Sequence, residues 1–297
     1  MPRGPWVLVV GMHRSGTSAL TGALGRLGLA LPAGDDLVTG RYDNPVHYES
    51  RALNDLDDAI LGALGGSWSA PPTPAPGWES SPAVLGVTAG AARCARRAFP
   101  GAGPVVWKDP RLCLLLPAWR SLLPAPIVTI LLWRQPLAVA RSLRARQGFP
   151  PSLGLALWER YTRAALTGLS GHPGYVMSYE ELLADPGAAL GPLARWLHGP
   201  GRVPLAVDDD MVSAAASSVT GGSAGHGDGE LPEVIISAVE TLQALSGPHD
   251  ALPAHSGVDP PSWMADVIAQ RHEYEELYAR YMRYVRLRRK IPFLGGR

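Results

Sequence analysis

An α/β fold, a parallel sheet with helices on both faces, is the architecture this 297-residue sequence predicts, and two patterns carry it. Short, almost wholly apolar runs recur at 6–10, 105–107, 127–133 and 175–177. Each run leads through a short polar or Gly-bounded corner into a segment with helical spacing. A continuous apolar run marks a strand buried on both faces, and strands alternating with helices mark a parallel sheet.

Trp6-Val7-Leu8-Val9-Val10 lies between Pro5 and Gly11 and is the first strand. Residues 11–16 form a Gly-bounded loop, and 17–29 a helix with Leu20, Leu24 and Leu27 at helical spacing. Strand, loop and helix in that order are the first half of a βαβ unit. Residues 35–50 are polar and turn-rich around Asn44-Pro45, and a helix is expected over 51–64. The stretch 65–82, dense in Gly, Pro, Ser and Trp, predicts an irregular surface flap whose Trp68 and Trp78 either stack on an acceptor ring or simply pack. One helix is expected over 84–99. A short strand at 105–107 runs into Lys108-Asp109-Pro110-Arg111 and a helix reaching Leu122. The strongest strand, 127–133, is apolar apart from Thr129, and Pro136 opens the helix that follows to Arg146. Residues 153–169 read as a helix, 175–177 as a strand, and 179–197 as helical with a break at Pro186.

The remainder differs in composition. Residues 203–270 contain no Lys or Arg; they include Asp208-Asp209-Asp210 and a Gly/Ser-rich stretch, 217–229, expected to be a mobile loop. Residues 262–290 read as one long helix with Met264, Val267, Tyr274, Tyr278, Tyr281 and Val285 on one face at roughly heptad spacing. It ends in Arg286-Leu287-Arg288-Arg289-Lys290, and its Tyr face predicts a surface or dimer helix rather than a membrane-surface one.

Length and a 46% hydrophobic content suit one decorated domain. A formal net charge of +1 gives no argument for nucleic acid or an anionic membrane. Cys94 and Cys113, the only cysteines, form no disulfide framework or zinc set and predict reduced thiols. The apolar runs at 6–10 and 127–133 are too short for a signal segment or a bilayer span, so a cytoplasmic protein is expected. Lys108 and Lys290 are the only lysines. Arginine supplies the rest of the positive charge, and Ala, Gly and Pro are abundant, as in the codon bias of a GC-rich genome, which makes Lys108 conspicuous.

Gly11-Met12-His13-Arg14-Ser15-Gly16-Thr17-Ser18 places successive amides at a helix start, a cradle for an anion. The spacing is that of G-x-x-x-x-G-K-[ST], but Thr17 stands where a nucleoside triphosphate loop needs lysine. A 5′-phosphosulfate carries less charge, and the backbone with Arg14, Thr17 and Ser18 suffices for it; His13 positions phosphate or the loop itself. The fold expected is therefore P-loop-like and three-layered. Arg134 follows the strand 127–133, and Ser142 lies about two helical turns further on, so both can reach one anion. A kinase would more often show an acidic Mg²⁺ ligand after such a strand.

These residues resemble the PAPS-dependent sulfotransferases of the Golgi and bacterial type. Residues 11–18, with His13, Arg14, Ser15, Gly16, Thr17 and Ser18, are similar to the family's 5′-phosphosulfate loop, and Arg134 with Ser142 to its 3′-phosphate pair. Tyr179-Glu180-Glu181-Leu182 before Asp185-Pro186 resembles a late strand-to-helix corner, which puts Tyr179 with the nucleotide-binding residues. Lys108-Asp109-Pro110 resembles the segment that, in the tyrosylprotein branch, sets a lysine beside the bridging oxygen. A cation fixed there acts mainly in the transition state.

The resemblance spans roughly residues 6–198. It implies PAPS as co-substrate, PAP as product, no metal, and a glycan or secondary-metabolite hydroxyl as acceptor. It also implies a base from residues 44–49, Glu49 preferred over His47, with Arg14 and Lys108 as the catalytic cations. The expected division is a nucleotide-binding core (1–202), an acidic and Gly/Ser-rich region completing the same domain (203–261), and a basic amphipathic helix (262–297). Many such enzymes cover the nucleotide with a basic loop near the C-terminus. Here the candidates are 217–229, Arg141, Arg144 or the C-terminal cluster. The last helix is either a plain surface helix or the contact of a homodimer, with no nucleic acid or membrane partner expected. A P-loop small-molecule kinase and a degenerate nucleotide-binding module are the alternatives.

Overall fold

The computed structural model describes residues 4–39, 46–124, 126–204, 206–219, 230–255 and 259–290, with the backbone alone for Val46 and 284–290. The Asn44-Pro45 turn, most of the 217–229 stretch and the side chains of the basic cluster lie outside the described residues.

A five-stranded sheet in the order β4-β1-β5-β6-β7 forms the middle layer. β1 (Trp6–Val10), β4 (Val105–Lys108), β5 (Ile127–Trp133) and β6 (Gly174–Ser178) are parallel, and β7 (Gly247–His249) closes one edge antiparallel to β6. Alternate residues of each central strand enter different cores, as the two-residue pleat requires. Trp6, Leu8, Val10, Trp107, Leu131 and Trp133 face one cluster, and Val7, Val9, Val106, Ile130 and Leu132 the other. This double burial is why the strands read as unbroken apolar runs rather than as alternations.

The first face is covered chiefly by α2 (Arg51–Ala63), α3 (Pro82–Thr88), α4 (Ala91–Ala98), α5 (Leu112–Leu122), α6 (Pro136–Gln147), α7 (Pro151–Leu169) and α11 (Glu233–Ala244). The other is covered by α1 (Thr17–Arg26), α8 (Tyr179–Ala184), α9 (Pro186–Leu197) and α10 (Asp209–Ser217). The last helix, α12 (Ser262–Lys290), packs Met264 into the first cluster. Among the described residues no helix is long and apolar enough to cross a membrane.

Local differences from the sequence reading have physical causes. The turn-rich stretch 35–50 contains an antiparallel ribbon of β2 (Leu37–Thr39) and β3 (Val46–Ser50). The buried Asp36 carboxylate anchors it, accepting from Ser50 Oγ and from the Ala52 amide. The helix expected over 84–99 is two helices, broken at Ala89-Gly90. α1 stops at Arg26 because Gly28 turns left-handed at φ 94°. Lys108 is the last residue of β4 rather than part of the turn after it.

Candidate active site

Because β1 lies between β4 and β5, the loop leaving β1 is flanked on both sides. Val9 pairs with Lys108 on one neighbour, and Val10 pairs with Leu131 on the other, three residues before Arg134. Carboxyl ends of parallel strands are where such sheets bind ligands.

Two glycines shape the loop of residues 11–18. A Cβ at Gly11 would lie 2.2 Å from the Leu132 carbonyl oxygen, so this loop runs against the β5 backbone. Gly16 has φ 82°, and a Cβ there would lie 2.1 Å from the Tyr179 ring. Arg14 is also left-handed, at φ 72°. Left-handed residues close together in a loop are a feature of anion-binding nests; here the Ser15 amide donates back to the Met12 carbonyl at 3.1 Å and closes the turn. α1 starts at Thr17 with no side-chain cap, and Ser15 Oγ is buried without a partner among the described residues. An open helix start beside an unanswered hydroxyl fits a ligand bearing anionic oxygens.

The loop and the post-β5 corner meet directly. Arg134 Nη1 donates to the Arg14 carbonyl at 3.1 Å, and Arg14 Nε donates to Ser142 Oγ at 2.9 Å. Arg134 also lies 5.1 Å from the centroid of the Tyr179 ring, the same ring that fills the space over Gly16. Further bonds fix this corner. Trp158 Nε1 donates to the Arg134 carbonyl at 2.9 Å, and the Gln135 amide donates to Glu180 Oε1 at 3.2 Å. A Ser178–Glu181 capping box starts α8. Arg14, Arg134, Ser142 and Tyr179 therefore form one cluster.

On the other side, Lys108 is 2% exposed and its ammonium is paired with Glu49, whose side chain is 13% exposed. Asn54 Nδ2 donates to the second Glu49 oxygen at 2.7 Å. Burial alone would raise the Glu49 carboxyl, but the Lys108 charge and the two hydrogen bonds win and hold it at about 2. Behind the pair, Asp109 accepts from the Arg111 amide at 2.8 Å and from its guanidinium at 3.1 Å, and Arg111 reaches on to Asp58. Asp57, wholly buried, accepts from Trp119 Nε1 at 2.7 Å. Burial and the neighbouring Asp109 hold its carboxyl well above the usual range.

His47 presents its carbonyl to Ser18 Oγ at 3.2 Å, which ties β3 to the first turn of α1. Its half-buried ring is pushed below the usual histidine value, mainly by burial. Between His47 and Glu49, Tyr48 has φ 55°, a conformation costing on the order of 1–3 kcal/mol for a non-glycine residue. Its ring lies over Gly22, where a Cβ would come within 3.0 Å.

His13 turns into an aromatic cage, 4.5 Å from the Trp68 ring and 5.8 Å from that of Tyr161. Burial, then the Arg111 and Lys108 charges against the opposing pull of Glu49, push it down to about 3. It is neutral and braces the loop from behind. Trp68 is held in turn: Tyr161 Oη donates to its carbonyl at 2.7 Å, and its ring stacks on Phe149 at 5.7 Å. On both sides of Trp68, Ser67 and Ser69 donate to Glu275 of α12. Both Trp68 and Trp78 pack against the core, so neither is a free stacking platform.

Sequence reasoning named Arg14, Arg134, Ser142, Tyr179, Lys108 and Glu49 but not Asn54, Asp57, Asp58 or Trp119. It also missed the brace made by Trp68, Phe149 and Tyr161 and the clamp at Glu275. Asn54 carries no motif and meets Glu49 only because α2 starts directly after β3. The Glu275 clamp joins residues 206 and 208 positions apart.

The fold and this edge define an α/β protein with a mostly parallel sheet whose first loop lies between the Arg134 corner and the Lys108–Glu49 pair. No family model matches the chain, and no curated protein matches it in sequence. Two solved structures align with it over most of their length. A sulfotransferase domain from the curacin biosynthetic pathway is 14% identical, with 89% of this chain and 96% of that one covered and a TM-score of 0.43. A sulfotransferase domain from the Synechococcus PCC 7002 olefin synthase is 16% identical, with 81% and 94% covered and a TM-score of 0.42.

Proposed function

We propose that this chain is a sulfotransferase that uses PAPS to sulfate a hydroxyl of a small-molecule or glycan acceptor. The observation that carries the reading is the meeting of the residue 11–18 loop and the post-β5 corner on one sheet edge, where Arg134 donates to the Arg14 carbonyl, beside a buried Lys108–Glu49 pair. The nest at residues 11–18 with Ser15, Gly16, Thr17 and Ser18 would hold the 5′-phosphosulfate, and Arg134, Ser142 and Tyr179 the 3′-phosphate end. Bound there, PAPS would supply the sulfuryl group.

Arg14 joins the two ends and neutralises charge near the transferring group. Lys108 acts where negative charge collects on the leaving side, because a cation there is worth more in the transition state than before it. Glu49 takes the acceptor proton. Tied to Lys108 it is a weak base, so its role requires Lys108 to turn from it toward the donor. Asn54 keeps the freed carboxylate aimed. His47 contributes its backbone to the loop's support. Cover for the nucleotide is assigned to Arg141 or Arg144 of α6; the other candidates lie largely outside the described residues.

The test is calorimetric. Arg134→Ala is expected to weaken 3′,5′-diphosphoadenosine by about 1.5–3 kcal/mol, the scale of a charged hydrogen-bond set. It should barely change adenosine-5′-phosphosulfate, which has no 3′-phosphate. Equal losses for both ligands would remove the 3′-phosphate assignment, and no binding of either by the unaltered protein would remove the function.

A further inference from the structure

The second half of α12 carries a surface that the proposed reaction does not use. Among the described residues six large apolar side chains are exposed, and four of them lie on this one helix: Tyr274 (56%), Leu277 (67%), Tyr278 (53%) and Tyr281 (59%). They form a patch rather than a scatter, because positions three and four apart share one helix face. Tyr274 and Tyr278 stack, with centroids 6.2 Å apart and planes 12° from parallel. The first half of the same helix behaves differently. Met264 is buried, and Trp263, Val267 and Ile268 pack against the core. The heptad-like pattern thus splits, with its first part docked on this chain and its second part facing outward.

Charge identifies what covers the outward part. Residues 263–276 carry Asp266, Glu273, Glu275 and Glu276 against Arg271 alone. Residues 277–290 carry Arg280, Arg283, Arg286, Arg288, Arg289 and Lys290 and no acid. A helix acidic at one end and basic at the other complements a copy of itself laid antiparallel and repels a parallel copy. An antiparallel pair is also closed by a two-fold axis, so the same patch serves both partners. We propose that two copies of this chain associate antiparallel through the second halves of α12, with Tyr274, Leu277, Tyr278 and Tyr281 at the seam. Acidic residues such as Glu273 and Glu276 then meet the basic half of the partner. The pairing has a consequence for the site, since Glu275 holds Ser67 and Ser69, and Arg271 lies 4.7 Å over the Phe149 ring. Fixing α12 steadies the loop that keeps Trp68 on His13. The association does not depend on the reaction proposed above.

Sedimentation velocity on the full chain tests it. The unaltered protein is expected to be a concentration-dependent dimer. Glu273→Arg with Glu276→Arg is expected to be monomeric by itself, as is Arg280→Glu with Arg283→Glu, and an equimolar mixture of the two variants should recover the dimer. Each reversal should weaken self-association by at least about tenfold. Far-UV circular dichroism reports whether the variants keep their helix, and Tyr278→Ser attacks the seam without touching charge. A wild type that is monomeric throughout overturns the proposal. So does a dimer indifferent to both charge reversals, since a parallel pair would set like against like before and after. A monomer that co-sediments with phosphatidylserine vesicles would assign the face to a membrane instead and overturn it equally.

Discussion

Replacing Lys108 by Met removes the ammonium from a carboxylate that has little water to turn to. The lysine is 2% exposed and the Glu49 side chain 13%, and Asn54 would be the one remaining partner seen at the carboxylate, at 2.7 Å. Breaking a buried pair from one side costs about 3–5 kcal/mol. The direction agrees: against burial, which raises it, the Lys108 charge and the hydrogen bonds hold the Glu49 carboxyl at about 2, below its ordinary 4.5. The expected loss for Lys108→Met near neutrality is therefore about 3–5 kcal/mol.

Its pH dependence has a definite sign. In the wild type the Glu49 contribution is full above about 4.5 and is lost as pH falls through about 2. In the variant, burial without the lysine raises the carboxyl, so the variant's deficit shrinks on acidification. Adding Glu49→Gln removes the stranded charge, and the double variant should recover most of the stability. Urea unfolding of the four proteins, near neutrality and near pH 4.5, completes the cycle. Losses that simply add in the double variant would show that the two groups do not depend on each other, and the reasoning would fail.

Three further outcomes are expected. Gly16→Ala should lower stability by about 1–3 kcal/mol and abolish 3′,5′-diphosphoadenosine binding, because φ 82° is strained for alanine and its Cβ meets the Tyr179 ring at 2.1 Å; thermal melts showing no change would contradict this, and adding Tyr179→Ala should return part of the stability. Asp57→Asn keeps an acceptor for Trp119 Nε1. The folded chain holds a proton on Asp57 that the unfolded chain releases above the ordinary value of 3.8, so wild-type stability falls as pH rises from there; the variant should show a shallower fall and be at least as stable at alkaline pH, measured by urea midpoints. His13→Asn should soften acid unfolding, because His13 stays neutral down to about 3 while the unfolded chain takes its proton near 6.5, so its contribution is lost as pH falls between those values; an unchanged acid-unfolding curve would place the ring in water.

The sheet was legible because β1, β5 and β6 are buried on both faces and so leave unbroken apolar runs. The 37–50 ribbon was not, since β2 has three residues and leans on the Asp36 carboxylate rather than on its own pattern. β7 was missed for a similar reason: Gly-Pro-His is a strand only because the β6 edge stands beside it. In the site, the loop and Arg134 stood out as residues following apolar runs. The partner of Ser142 did not: its hydroxyl accepts from Arg14 Nε, across 128 positions.

Residue order alone determined which backbone segments turn at the carboxyl edge of the sheet, because periodicity and punctuation by Gly and Pro act within a few neighbours. It also determined that Lys108 stands nearly alone among cations of its kind. Only the tertiary structure decided that Lys108 is buried against Glu49, that His13 is a neutral brace in an aromatic cage, and that α12 reaches back to hold the 67–69 loop. Those outcomes depend on which distant groups share a low-dielectric space, and that is set by the packing of layers rather than by any local run of side chains.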